Sequence, residues 1–119
     1  MTASLYERLG GTEGITRIAN DIVDNHLTNT RISKRFDNAD IPALKNAAAT
    51  FFITGAGGPE VYEGKDMVAA HAGMNISIEE FTAVLDDALA AMDKNDAGQR
   101  EREEVLYILY SMKPMVVAQ

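Results

Sequence analysis

The sequence predicts an all-α protein. Three features carry the prediction: apolar residues recur at three- and four-residue steps, capping residues head most of these runs, and no segment alternates apolar and polar residues over strand length. Glycine pairs and polar turns separate the runs.

Ser4 and Glu7 form a capping box for a short first helix that Gly10-Gly11 ends, and Thr12 is placed to cap a second. In that second helix Ile15, Ile18, Ala19, Ile22, Val23, His26 and Leu27 make one inward stripe. Ile32 and Phe36 belong to a short turn or helix rich in Arg and Lys. Asp40 caps the next helix, Pro42 is tolerated in its first turn, and Leu44, Ala48, Phe51 and Phe52 form its inner face. Gly55, Gly57, Gly58 and Pro59 stop it. A very short helix begins after Asp66 and ends at Gly73. Ser77 and Glu80 form a second capping box, opening a helix through Phe81, Val84, Leu85, Ala88, Leu89 and Met92. Asn95 to Gly98 is a polar turn. The last helix buries Val105, Ile108, Leu109 and Met112, with Pro114 near its end. The whole chain, 1–119, is expected to form one domain.

Composition excludes several function classes. The net charge is −7 and no cluster of Lys or Arg overrides that sign, which disfavours a polyanionic nucleic acid as partner. There is no cysteine, hence no disulfide, thiolate metal site or thiol nucleophile, as suits a reducing compartment. No signal peptide is visible. The longest uncharged stretch, Asn46 to Pro59, is well short of the roughly 20 apolar residues of a spanning helix. A cytoplasmic location away from membranes is expected.

The functional signal lies in Tyr62-Glu63-Gly64-Lys65-Asp66-Met67-Val68-Ala69-Ala70-His71. Met67 and His71 are four apart and share a helix face. The Met67 carbonyl is the natural acceptor for one ring N–H of His71, which leaves the other ring nitrogen as a lone pair aimed away from the helix. A neutral imidazole fixed in this way is what an axial haem-iron ligand requires. The plainer reading is a surface or capping histidine, whose cation favours a helix C-terminus.

Several pieces in fixed order carry a family resemblance: Leu5-Tyr6-Glu7-Arg8-Leu9-Gly10-Gly11, then Phe36, Phe51-Phe52, Gly57-Gly58-Pro59, Tyr62, Gly64, Met67 and His71. Over nearly its whole length the sequence resembles the truncated, two-over-two haemoglobins, group I above all. The resemblance implies two crossed antiparallel helix pairs around one haem b, iron protoporphyrin IX. It makes His71 the proximal ligand and the metal's one protein ligand. Phe36 corresponds to the phenylalanine that packs on the haem face. Leu44, Ala48, Met67 and Phe81 are further expected haem neighbours. Tyr62, Lys65, Lys45 and Arg35 are candidate partners of a haem propionate.

On the distal side the sequence departs from the family. Counting from Phe36 and Phe51-Phe52, Val23 holds the place where many group I members have tyrosine, and Leu44 and Ala48 hold places where many have glutamine. The expected distal pocket, Val23, Leu44, Ala48 and Phe52, is apolar. Phe52 also matches a phenylalanine near a ligand tunnel in some relatives, or is ordinary core. Ala48, with Gly55 nearby, is small enough to leave space for a diffusing gas. Two roles stay open for His26: a core histidine bonded to a backbone carbonyl, or a polar group near the pocket rim that bonds ligand through water or ligates the iron itself.

The function implied is reversible binding of oxygen, carbon monoxide or nitric oxide, by a monomer. The alternative is a nitric oxide dioxygenase or peroxidase-like enzyme served by a partner reductase; a gas sensor or a haem-free adaptor fits less well. An apolar pocket forfeits the hydrogen bond to bound oxygen. Such a bond to a charged group is worth about 1.5–3 kcal/mol, or roughly ten- to 150-fold in an equilibrium constant. Val23→Tyr is therefore expected to slow oxygen dissociation by about that range in stopped flow, with carbon monoxide much less affected. A parent protein that already releases oxygen as slowly as the variant contradicts the expectation.

Overall fold

The computed structural model describes residues 3–119, and in it the chain is helical. Helix α1 (Leu5–Arg8) opens on the expected capping box, with the Ser4 hydroxyl accepting from the Glu7 amide at 3.1 Å. The Tyr6 amide donates to the Ala56 carbonyl at 2.9 Å, and the Arg8 guanidinium forks onto Glu104. One helical turn thus fastens the end of the third helix to the helix that carries Glu104. A Cβ on Gly58 would lie 2.5 Å from the Tyr6 ring, so only glycine admits that ring.

Helix α2 (Gly11–Thr28) begins one residue earlier than Thr12. Thr12 does not cap it. Gly10, at φ +96°, occupies the cap position, and the Tyr6 hydroxyl takes the capping role by accepting from the Thr12 amide at 3.1 Å. Ile15, Ile18, Ala19, Ile22, Val23 and His26 are buried as the periodicity predicts, and Leu27 is half-buried. A 3₁₀ turn (Ser33–Phe36) follows.

Helix α3 (Ile41–Gly55) is capped by Asp40, which accepts from the Ala43 amide at 3.1 Å. The predicted inner residues Leu44, Ala48, Phe51 and Phe52 are only half-buried, and Ala49 and Ile53 are the sealed ones. The physical reason is that the former four border open space rather than protein. Helix α4 (Met67–His71) starts after Asp66, whose carboxylate accepts from the Ala69 amide at 2.8 Å. Gly73, at φ +79°, turns the chain away after it.

Helix α5 (Ile78–Lys94) carries the second capping box, Ser77 with Glu80. Phe81, Ala88 and Met92 are buried as expected, while Val84, Leu85 and Leu89 are half-buried. Helix α6 (Gln99–Ser111) buries only Val105 fully. The expected single last helix is broken: Lys113–Val116 forms a separate turn, α7, because Pro114 has no N–H and its ring clashes with the carbonyl four residues back. The tail then pairs with the residues after α4. Ile76 and Val117 form a parallel bridge, and the Ala118 amide donates to the Ile76 carbonyl at 2.9 Å.

Helix α2 is the hub, packed against α3 on one side and α5 on the other, with α6 laid on α5. Ala19, Ala83, Ala88 and Ala91 are all but sealed from solvent. Leu5, Ile18, Ile22, Ala88, Ala91, Met92 and Val105 make one core at the α1 end. At the other end the helices diverge around a cleft. Among the described residues no helix is long and apolar enough to cross a membrane.

Candidate functional site

The cleft consists of two adjoining cavities, of about 210 and 290 Å³. Phe36, Phe51, Met67, His71, Val84 and Leu109 border both, so they mark the seam of one slot rather than two separate pockets. The total is of the size that holds a cofactor. Carbon dominates the walls, with Ile32, Met74, Ile76, Phe81, Leu85 and Met112 on the first cavity.

His71 sits in that seam. Its Nδ1 is 2.8 Å from the Met67 carbonyl oxygen, across one turn of α4. A carbonyl only accepts, so Nδ1 carries the hydrogen, and in the neutral ring Nε2 holds the lone pair. Nε2 has no hydrogen-bond partner among the described residues. Five residues are too few for a stable isolated helix. The Asp66 cap and the contact with α7 hold α4 in place.

Val23, Leu44, Ala48, Phe52 and Tyr62 line the second cavity together with Phe36, Met67 and His71. Phe81 lines the first. The chain therefore brings Val23, Phe36, Leu44, Ala48, Phe52, Tyr62, Met67, His71 and Phe81, all singled out in the sequence, into one slot. Lys45 is the exception. It lines neither cavity, and its Nζ lies 2.8 Å from Asp24. Gly55 is also apart from Ala48: it borders a void of about 20 Å³ behind Phe51 and Phe52.

The loop before α4 is held by Tyr62. Its hydroxyl donates to the Lys65 carbonyl at 2.6 Å, and its ring meets Phe51 edge-on at 5.3 Å. A Cβ on Gly64 would fall 2.4 Å from the Tyr62 hydroxyl oxygen, so this loop needs glycine there.

Charge enters the first cavity through Arg35 and Glu80 alone among its lining residues. The Arg35 guanidinium forks onto the Glu80 carboxylate, which also accepts from the Ser77 amide at 3.1 Å. The Arg35 bond, then the Ser77 amide, pull the Glu80 carboxyl from 4.5 down to about 2. Arg35 thus already has an anionic partner.

His26 resolves differently from the backbone-bonded histidine that was one of its two readings. Its Nδ1 lies 2.6 Å from Oδ2 of Asp87, on α5, and its ring stacks on Phe36 with centroids 5.6 Å apart. His26 also lines the second cavity. Asp87 is a site residue that the sequence analysis missed. It stands among inward positions of α5, between Val84 and Ala88, and a carboxylate there is the signal that was available.

Among the described residues no three His, Cys, Asp or Glu side chains converge as a metal site. A slot walled by carbon, offering single imidazole nitrogens, suits a metal that brings its other ligands in a flat macrocycle. The class is thus a helical protein with an apolar slot of cofactor size. The comparisons agree. The family model for bacterial-like globins matches residues 4–118. The group 1 truncated hemoglobin GlbN of Mycolicibacterium paratuberculosis is 33% identical over 92 residues, 75% of this chain and 68% of that protein. The group 1 truncated hemoglobin of Tetrahymena pyriformis is 29% identical over 106 residues, 87% of this chain and 88% of its own. The crystal structure of the Tetrahymena pyriformis protein in its Fe(III) form superposes with a TM-score of 0.94, at 23% identity, over 98% of this chain and all of that one (100%). The group II truncated hemoglobin of Bacillus anthracis superposes at 0.88, with 22% identity, over 99% and 94%. At such identity these structures share the fold. The chain belongs to the bacterial-like globin family and is a truncated haemoglobin in fold, and that membership implies a haem.

The Glu80 shift gives a pH dependence. Its folded value is depressed, so its contribution is present above about 4.5 and fades as pH falls toward about 2. Glu80→Gln keeps the capping box, since glutamine serves at that position. The variant is expected to be less stable than the parent near neutral pH by the usual few tenths to about 1 kcal/mol of a rim ion pair. In urea titrations the gap closes as pH drops to about 2. A gap that is constant across that range contradicts the assignment.

Proposed function

We propose that this chain holds one b-type haem through His71 Nε2 and takes small diatomic gases (oxygen, carbon monoxide or nitric oxide) on the opposite face of the ring. The observation that carries the reading is the bond from His71 Nδ1 to the Met67 carbonyl, 2.8 Å, in the seam shared by both cavities. It leaves a lone pair facing carbon walls, with the tautomer already chosen. The absence of cysteine from the sequence excludes the thioether links of a c-type haem, which supports the b-type reading.

Bound there, a haem supplies an iron with one open coordination position. Everything else is done by side chains. Phe36, which borders both cavities, would pack against the ring face. Met67, Val84 and Leu109, bordering both cavities beside His71, would keep water from its Nε2. Val23, Leu44, Ala48 and Phe52 shape an apolar wall that presents no N–H or O–H to a bound gas. Such a wall weakens polar oxygen relative to the less polar carbon monoxide and so shifts the preference toward carbon monoxide. This supports reversible gas binding ahead of turnover that depends on long-lived oxygenated haem.

Haemin titrated into the cofactor-free protein is expected to bind one to one with an intense blue-edge band. His71→Gly is expected to lose the histidine-ligated ferrous spectrum, and added imidazole to restore it. A His71→Gly protein with the parent's spectrum and no response to imidazole contradicts the reading.

A further inference from the structure

Buried polar side chains are costly unless paired, and His26 is paired on one nitrogen only. It is 8% exposed, on α2, with Nδ1 2.6 Å from Asp87 Oδ2. The other carboxylate oxygen, Oδ1, accepts from Asn29 Nδ2 at 3.0 Å, while Asn25 Nδ2 donates to the Asp87 backbone carbonyl, also at 3.0 Å. An imidazole is a stronger base than a carboxylate, so the shared hydrogen belongs to the ring. Nδ1 is therefore the donor, and Nε2 of the neutral ring is a lone pair. Among the described residues Nε2 has no hydrogen-bond partner, yet no partnerless nitrogen or oxygen of their side chains is sealed off. Nε2 is therefore accessible, and the ring that carries it lines the second cavity.

A lone pair cannot donate to bound oxygen, so His26 leaves the apolar wall without a donor. What it can do is take a proton. We propose that His26 is a built-in proton acceptor for weakly acidic ligands HX of the ferric protein, such as hydrogen cyanide, hydrogen sulfide or hydrogen peroxide. The inference rests on the haem reading above. In the step, the H–X bond breaks, its proton goes to His26 Nε2, and its electron pair stays on X⁻, which is then free to bind the iron. No electron is transferred and no co-reactant is needed. The imidazolium formed is paired with the Asp87 carboxylate and lies flat on the Phe36 ring, 5.6 Å between centroids and 13° between planes, as a cation favours. Asp87 and Asn29 are positioning residues: they keep the hydrogen on Nδ1 and the lone pair on Nε2.

Asp87→Asn separates this from a purely structural role. Asn29 Nδ2 still requires an acceptor, which turns the new amide oxygen toward it and the new NH₂ toward His26. The ring must then accept at Nδ1 and carry its hydrogen on Nε2. Lone pair and donor change places without loss of shape.

The probe is hydrogen cyanide, neutral at about pH 8 where an ordinary imidazole is also neutral. With the haem-loaded ferric protein, His26→Gln is expected to lower the cyanide association rate constant by about 100-fold or more, the usual range of a general base. Carbon monoxide binding to the ferrous protein, which involves no proton, is expected to change little. Asp87→Asn is expected to slow cyanide association likewise and also to slow oxygen dissociation, because Nε2–H now donates. Long-range ¹H–¹⁵N correlation in the unaltered carbon-monoxide-bound protein is expected to show His26 with a protonated Nδ1 and a bare Nε2, whether or not a variant folds. Cyanide binding as fast in His26→Gln as in the parent overturns the proposal. So does a hydrogen on Nε2, or a six-coordinate low-spin ferric spectrum that disappears in His26→Gln, which would make His26 an iron ligand. A parent chain that takes up no haem fails at the earlier step and removes both readings.

Discussion

The hydrogen bond from His71 Nδ1 to the Met67 carbonyl is the constraint on which the site depends. It is a local bond within one turn, yet it decides which ring nitrogen is free and where the lone pair goes. A histidine without it would sample two tautomers and several rotamers, and a metal would have to select among them. Second-sphere bonds of this kind both orient a ligating imidazole and raise its basicity. The bond exists only while α4 is helical, and α4 is too short to be helical alone. Its order comes from outside: from the Asp66 cap, from α7 beneath it, and from the tail bridged to Ile76.

The same end of the molecule shows why the protein keeps a cleft at all. The α1 end is closed by small residues and a continuous aliphatic core. Toward the other end, α3 presents Leu44, Ala48, Phe51 and Phe52 to a space that no protein segment fills. Apolar surface of that extent facing a slot is unfavourable in water and is relieved by a flat apolar ligand. Asp87 and His26 meet at the slot's wall in a pair whose burial is tolerable because Asn29 and Asn25 satisfy the remaining acceptors.

Most of the fold was legible from periodicity and caps, because these are local signals. The stripe in α2 and the caps at Ser4, Asp40, Asp66 and Ser77 read directly, and α4 was visible despite its length because Asp66 and Gly73 bracket it. Three features were not legible, each because it depends on contact between distant segments. Thr12 looked like a cap, but the Tyr6 hydroxyl takes that role across the glycine pair. Periodicity alone marked the inner face of α3 without telling protein core from cleft, and only the family resemblance set Leu44, Ala48 and Phe52 at the pocket they line. The bridge between Ile76 and the tail has no periodic signature. At the site, His71 was legible because its partner is four residues away. Asp87 was not found because its partner, His26, lies 61 residues away. Lys45 was placed at the cleft by resemblance, and its ion pair with Asp24 holds it elsewhere.

The most direct test of the central claim is the iron–imidazole stretching band in the resonance Raman spectrum of the ferrous, ligand-free protein, recorded with natural and with ¹⁵N-labelled histidine. The account predicts a band that shifts on labelling and persists in a His26→Gln background, since residue 71 supplies the nitrogen. A band that is absent, or one that vanishes with His26, would contradict it.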